Sequence, residues 1–169
     1  TNAASYQFCW ITDFPMYERN KETGKIEFSH KPFSMHKVDL MNEDIDPLSV
    51  LGMQYDLSCN GYEILSGAIR NHKLKNLFKA FEIAGYAKKE VESQFSGLVN
   101  ALKYGPPPHG GCAAGIDRIV MLLAKEDNIR EVIMFPMNQR AEDPMLGSPR
   151  NPTTQQLDEL KLKIIDHDL

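Results

Sequence analysis

Cysteine is scarce in this sequence. Its three cysteines, Cys9, Cys59 and Cys112, stand far apart. An odd count without close spacing argues against a disulfide scaffold and against a thiolate zinc site, and it fits a reducing compartment. Long apolar runs are lacking as well, so no stretch reaches membrane length, and no secretory-leader pattern is read at the start. An excess of basic charge is also missing. Nineteen Lys plus Arg against 23 Asp plus Glu leave a formal net charge of −4. This denies the chain a general phosphate-binding surface, so any nucleic-acid contact has to be local. There is no P-loop and no dinucleotide-binding glycine fingerprint. The five histidines, His30, His36, His72, His109 and His167, show neither metal-ligand spacing nor a neighbouring nucleophile. Internal repeats and low-complexity tracts are absent from the sequence too.

What is present is an ordinary globular composition, 42% apolar and 25% charged over 169 residues, which suits one folded domain. A chain of this length buries roughly 70% of its unfolded surface without covalent staples. Near the start, Phe8, Trp10 and Thr12 alternate with Gln7, Cys9 and Ile11. This predicts a strand apolar on both faces, central in a sheet. A buried strand so close to residue 1 implies a longer parent sequence. A turn at 21–25 leads to a short strand over 26–28, and residues 35–49 read as loop. Met53 to Cys59 and Tyr62 to Arg70 flank Asn60-Gly61, the dipeptide that best tolerates the two positive φ angles of a tight hairpin turn. Leu74, Leu77, Phe78, Phe81 and Ala84 predict a helix stopped by Gly85, and Val91, Phe95, Leu98 and Leu102 predict another stopped by Gly105 and three prolines. Gly110 to Gly115 predicts a strand closely approached by a backbone or a ligand. A helix from Ile116 with Asp117 in its first turn follows. A short strand over 132–135, a loop over 138–152, and a last helix capped by Thr153 or Thr154 and running through Leu157, Leu160 and Ile164 complete the reading.

The hairpin places chemistry. A two-residue loop pairs Cys59 with Tyr62, Ser58 with Glu63, Leu57 with Ile64 and Asp56 with Leu65. Directly opposed residues share a face, so Glu63 lies beside Ser58, and Asp56 joins them two positions along the strand. The two carboxylates are then diagonal neighbours about 6–8 Å apart. Such a pair repels itself unless a positive group intervenes, and Mg2+ completed by substrate phosphates fits. The same pattern is also met by carboxylates that merely face solvent. Arg70, seven residues past Glu63, falls on the opposite face of an unbroken strand, unless a bulge at Ser66-Gly67 rotates it back. There it offers a planar fork to a carboxylate; otherwise it is an exposed arginine at a strand end. Arg118, in the first turn of its helix, has room above small residues to meet a base or a phosphate, and as a lone arginine it equally suits an ordinary surface. His30, before a proline at a strand end, is the histidine best placed to line a site.

Taken together and in order, Trp10-Ile11-Thr12-Asp13-Phe14-Pro15, His30-Lys31-Pro32-Phe33, Tyr55-Asp56-Leu57 with Asn60-Gly61-Tyr62-Glu63-Ile64, Ser66-Gly67-Ala68-Ile69-Arg70, Tyr104-Gly105-Pro106-Pro107-Pro108-His109-Gly110-Gly111 and Gly115-Ile116-Asp117-Arg118 resemble bacterial-type aspartyl-tRNA synthetase. The likeness spans roughly residues 7–165. It corresponds to the C-terminal half of a class II catalytic domain, which implies an α+β fold, an antiparallel sheet flanked by helices.

The resemblance implies roles by position. Arg118 matches the motif 3 arginine, so Gly115, Ile116, Asp117 and Arg118 are expected at ATP. Asp56 and Glu63 match the acidic residues that hold Mg2+ and ATP. Arg70 matches the arginine that grips the aspartate side chain, and His30 the histidine that closes over the amino acid. ATP and Mg2+ are the expected cofactors. Aspartate and tRNA are the expected partners of a cytoplasmic, homodimeric parent enzyme without a membrane association. Motifs 1 and 2, including the Phe-Arg-x-Glu core, are missing, and so are the anticodon-binding and insertion domains. None of Arg19, Arg70, Arg118, Arg130, Arg140 and Arg150 sits in a motif 2 context, so the 169 residues alone are expected to be inactive. Lys31 stands where many relatives carry a second histidine, and Leu65-Ser66 replaces part of a glycine run. Three other readings compete: an asparaginyl-type synthetase, against which the Ala68-Ile69-Arg70 context speaks, a non-catalytic synthetase-like binding module, and a plain structural domain, which explains the periodicities but not the ordered motif set.

Overall fold

The computed structural model describes residues 5–42 and 44–165; His167 lies outside them. The chain divides into two compact units, Thr1–Ile119 and Val120–Leu169.

The first unit holds a four-stranded antiparallel sheet in the order β1 (Phe8–Thr12), β4 (Gln54–Cys59), β5 (Tyr62–Ile69), β6 (Gly110–Ala114). A two-stranded ribbon of β2 (Tyr17–Arg19) and β3 (Ile26–Phe28) stands apart from it. The β4–β5 hairpin turns as its sequence requires, with Asn60 at φ 51° and Gly61 at φ 91°.

Two features of the sheet correct the sequence reading. First, β1 is an edge strand, not a central one, and all five of its residues are exposed. Among the described residues its single strand neighbour is β4, so its apolar side chains stay exposed, although the Trp10 ring meets the Tyr55 ring edge-on. Second, the hairpin pairs Cys59 with Tyr62 and Ser58 with Glu63 as expected, but Leu57 then faces Leu65 and Asp56 faces Ser66. Ile64 is therefore an extra residue. A bulge interrupts the strand, at Ile64 and not at Ser66-Gly67 where the sequence offered one. Ile64 is 9% exposed, and its carbonyl accepts from Gly115 N at 2.9 Å, so the irregularity is buried and bonded.

The helices of this unit build the core. α1 (Leu74–Ile83) buries Leu77, Ala80 and Phe81, the 3- and 4-residue spacing of one helical face. Leu77 and Phe81 join Val91, Val99 and Leu102, with Phe28 and Phe33 packed against them. Ala80 joins Met16, Tyr17, Leu40 and Val50. Tyr17 donates its hydroxyl to the Ala80 carbonyl at 3.1 Å, and burial holds its phenol far above the usual range. Gly85, at φ 87°, ends the helix as predicted. The single helix expected through Val91 and Leu102 is two, α2 (Lys88–Gln94) and α3 (Ser96–Leu102). Phe95 breaks them at φ −118°, ψ 35°, a conformation that lets its ring meet both Phe33 and Phe81. Packing of an aromatic ring here overrides helical continuity.

α4 (Ile116–Ala124) starts in the first unit, with Asp117 in its first turn. In the second unit the strand expected over 132–135 is replaced by a short 3-10 helix, Ile129–Val132, capped by the Asn128 side chain on Arg130 N. The last helix, α5 (Thr154–Glu159), is capped by Thr153 in a reciprocal box with Gln156, but it stops before Ile164. No helix among the described residues is long and apolar enough to cross a membrane.

Candidate active site

The bulge decides which side chains share a face. Beyond Ile64, side chains alternate as if shifted by one, so Glu63, Ser66 and Ala68 fall on one side of β5, together with Asp56 and Ser58 of β4, and Arg70, just past the strand end, continues that parity. Ala113 and Gly111 of β6 lie opposite Ser66 and Ala68 and continue the same face.

A cleft of about 600 Å3 lies over this face. Its floor is Ser66, Gly67 and Ala68 with Gly110 to Ala113; its walls are the segment His30 to Ser34, Arg70 and His109. The floor is open because its side chains are small. At Gly67 this is forced from the far side: a methyl group there would stand 2.5 Å from the Tyr55 ring and 2.6 Å from the Gly111 carbonyl. The wall segment is pinned to the sheet by hydrogen bonds. Met35 N donates to Ile69 O at 2.7 Å, Gln54 Nε2 donates to Ser34 Oγ at 2.8 Å, and Ser34 Oγ donates to Lys31 O at 2.6 Å.

The charge of the cleft is one-sided. Lys31 and Arg70 line it, His30 and His109 accompany them, and no Asp or Glu is among the lining residues. The guanidinium of Arg70 lies 5.4 Å from the centroid of the Phe33 ring, and among the described residues no carboxylate comes within ion-pair distance of it. Its backbone N donates to His109 O at 2.9 Å, which fixes the strand end. His30 stands edge-on to Phe14, with centroids 5.7 Å apart.

The two carboxylates take separate cations. Asp56, 14% exposed at its side chain, has Lys31 Nζ at 3.5 Å from Oδ1 and accepts the Ser66 hydroxyl on the same oxygen. Glu63, half exposed, has Arg118 Nη1 at 3.8 Å from Oε1, and the same nitrogen donates to the Glu63 backbone oxygen at 2.6 Å. The first turn of α4 is thus anchored to the bulge. Gly115 is half-buried there, whereas Ile116, Asp117 and Arg118 are exposed.

His30 and Arg70 therefore meet in one cleft, and Glu63 meets Arg118 beside the bulge. Asp56 reaches the cleft wall only through Lys31 and Ser66. Phe33, Ser34 and His109 were not anticipated as lining residues. The clue to the first two was their place directly after His30 in a proline-bearing segment. His109 precedes the glycine run, where a neighbouring backbone had to come close.

The family model for class II tRNA synthetases (D, K and N) matches residues 1–139. The chain is 63% identical over 168 residues to the "Aspartate--tRNA(Asp/Asn) ligase" of a Ruegeria species, covering 99% of this chain and 28% of the relative. It is 66% identical over 160 residues to the protein of that name from Dinoroseobacter shibae, covering 95% and 27%. The chain thus spans little more than a quarter of the length of these relatives. Among solved structures, it resembles the aspartyl tRNA synthetase from Entamoeba histolytica at 27% identity, with a TM-score of 0.58 over 81% of this chain and 24% of that one. The asparaginyl-tRNA synthetase of the same organism, solved with asparaginyl-adenylate, shares the fold at 24% identity, with a TM-score of 0.57 over 81% of this chain and 26% of that one. With its partial antiparallel sheet, its flanking helices and a match over most of its length, the chain belongs to the class II tRNA synthetases.

Proposed function

We propose that this chain works as the amino-acid-binding half of the catalytic domain of a longer aspartate–tRNA ligase. The observation that carries the reading is the guanidinium of Arg70, which among the described residues has no ion-pair partner, in a cleft whose lining residues include no Asp or Glu. Such a site takes a small anion, and the planar fork favours a carboxylate. Relatives that carry the ligase name at 63% and 66% identity support aspartate as that anion.

On this reading the reaction has two steps. The α-carboxylate of aspartate attacks the α-phosphorus of ATP; a phosphorus–oxygen bond forms as the bond to pyrophosphate breaks. A ribose hydroxyl of tRNA then attacks the activated carbonyl, and AMP leaves. The first step needs alignment and charge neutralisation more than covalent help from the protein. Arg70 holds the side-chain carboxylate, His30 covers the amino acid, and Arg118, with Gly115, Ile116 and Asp117 around it, meets ATP. Asparagine would leave the Arg70 fork facing an amide, poorly paired and desolvated.

The residues fit Mg2+. Asp56 and Glu63 share a face, and Asp56 already gathers an ammonium, so its position selects positive charge. Among the described residues no three His, Cys, Asp or Glu side chains form a cage, as suits an ion completed by phosphate oxygens. When bound, the ion would offset the charge of the departing pyrophosphate. The longer enzyme is, on the same reading, a cytoplasmic homodimer. The relatives' names carry both tRNA(Asp) and tRNA(Asn), and we extend that pair of substrates to it.

The test is ATP–pyrophosphate exchange by the longer enzyme with aspartate against asparagine. A preference for aspartate of roughly a thousandfold or more is expected; equal use, or preference for asparagine, overturns the reading.

A further inference from the structure

We propose that Lys31 is a built-in counter-ion for Asp56 that a divalent cation has to work against, so that this one side chain sets how tightly the metal is held. The inference rests on the reading of Asp56 as a metal-holding carboxylate.

The geometry excludes a simpler role. An ammonium has three N–H groups, and Lys31 directs them at Ser66 Oγ at 2.6 Å, Gly67 O at 3.1 Å and Asp56 Oδ1 at 3.5 Å. Lys31 lines the cleft, yet no donor is left to meet a ligand without breaking one of these contacts. It is a positioning residue. Ser66 completes a relay: its oxygen accepts from Lys31 and its hydroxyl donates to Asp56 Oδ1. Oδ1 is thereby engaged twice, and Oδ2 has no hydrogen-bond partner among the described residues. A metal ion therefore has Oδ2 to take, on a carboxylate whose other oxygen faces an ammonium.

Two cations on one carboxylate repel, and how much depends on water. The Asp56 side chain is only 14% exposed, so water shields its oxygens little, while Lys31 is 37% exposed and its charge is partly screened. The other ion pair gives the contrast. Arg118 and Glu63 are 45% and 47% exposed at 3.8 Å, so their cation is well screened and interferes little. The chain thus offers a metal two carboxylates that each face a cation, one closely guarded and one more exposed to water.

The test is titration of the longer enzyme with Mn2+ in the presence of a saturating non-hydrolysable ATP analogue, with the free ion followed by electron paramagnetic resonance and the Mn2+ held by the analogue alone subtracted. Wild type is compared with Lys31→Gln, Lys31→Arg and Asp56→Asn, each checked for folding by circular dichroism and melting. Lys31→Gln keeps a donor for Ser66 and removes the charge, and it should tighten Mn2+ binding on the order of tenfold. Lys31→Arg should stay within about twofold of wild type, because the charge remains. Asp56→Asn should abolish the site. If Lys31→Gln fails to fold, Lys31→Met is the second neutral variant with the same expectation. Equal or weaker binding in the neutral variants, with Asp56→Asn still abolishing the site, overturns the counter-ion role and leaves Asp56 as a metal holder. Binding that ignores Asp56→Asn, or no binding in any variant, refutes the metal reading and this inference with it.

Discussion

Glu63 on β5 and Arg70, one residue past the end of that strand, stand seven residues apart and fall on the same side of the sheet, because Ile64 is an extra residue between the Leu57–Leu65 and Ser58–Glu63 pairs. In an even ladder that odd separation would put Arg70 on the side now taken by Gly67 and Ile69. One bulged residue therefore assembles the cleft. It puts Ser66 and Ala68 of the cleft floor, and Arg70 just past the strand end, on one face, and the start of α4 fastens to it through Gly115 N and Arg118.

The floor of the cleft predicts a contrast between two glycines. Gly67→Ala drives a methyl into the Tyr55 ring and the Gly111 carbonyl, and the latter is backbone and cannot yield. A stability loss of about 1–3 kcal/mol is expected in urea unfolding. Gly111→Ala meets no atom within 4 Å. It should keep stability within about 0.5 kcal/mol, and its methyl should intrude on the cleft face instead.

The core predicts a large loss at Phe81. This ring, 2% exposed, touches the rings of Phe28, Phe33, Tyr86 and Phe95. Phe81→Ala should cost about 3–5 kcal/mol, read as a lower denaturant midpoint with an unchanged slope. A cost below about 1 kcal/mol would mean that the helices pack otherwise.

Acid should weaken the fold through His36. The ring is 6% exposed, and burial holds its pKa below the ordinary 6.5, against smaller upward pulls from its contact with the Val38 carbonyl and from the Asp39 charge. The folded state therefore binds this proton less readily than the unfolded chain does. Its contribution is fully present above about 6.5 and is lost as pH falls towards the lower folded value. The drop in melting temperature from about pH 7.5 to about pH 5.5 should be smaller in His36→Gln. An identical drop would show that other groups govern acid sensitivity.

Much of this arrangement was legible in the residues. Asn60-Gly61 announced the hairpin, Gly85 and Gly105 the helix ends, and the glycine run after His109 the close approach of β5 and β6. What escaped was decided by long-range packing. The β1 alternation reads as burial, but the side chains that would cover it are not among the described residues. Phe95 continues a helical spacing, yet its ring is better housed by breaking the helix. Parity alone put Arg70 on the wrong face; a bulge was only an option suggested by Ser66-Gly67, and its real place at Ile64 could not be read, since Ile64 looks no different from any strand residue. Lys31 looked like a plain departure from its family; only coordinates show that its ammonium and Ser66, the other departure, bond to each other.

On the proposed reading the group that meets the α-phosphate belongs to another part of the longer enzyme, so the isolated 169 residues should show no aspartate-dependent ATP–pyrophosphate exchange. Robust exchange by this chain alone would refute the division of labour proposed for it.

Arg70→Lys in the longer enzyme tests the central claim most directly, with the KM for aspartate and for ATP measured side by side in pyrophosphate exchange. Lysine keeps the charge and loses the fork. The account predicts a rise of about 10- to 150-fold for aspartate, the equivalent of one charged hydrogen-bonded contact of about 1.5–3 kcal/mol, and a change within about twofold for ATP. Equal changes for both substrates, or none for aspartate, would contradict it.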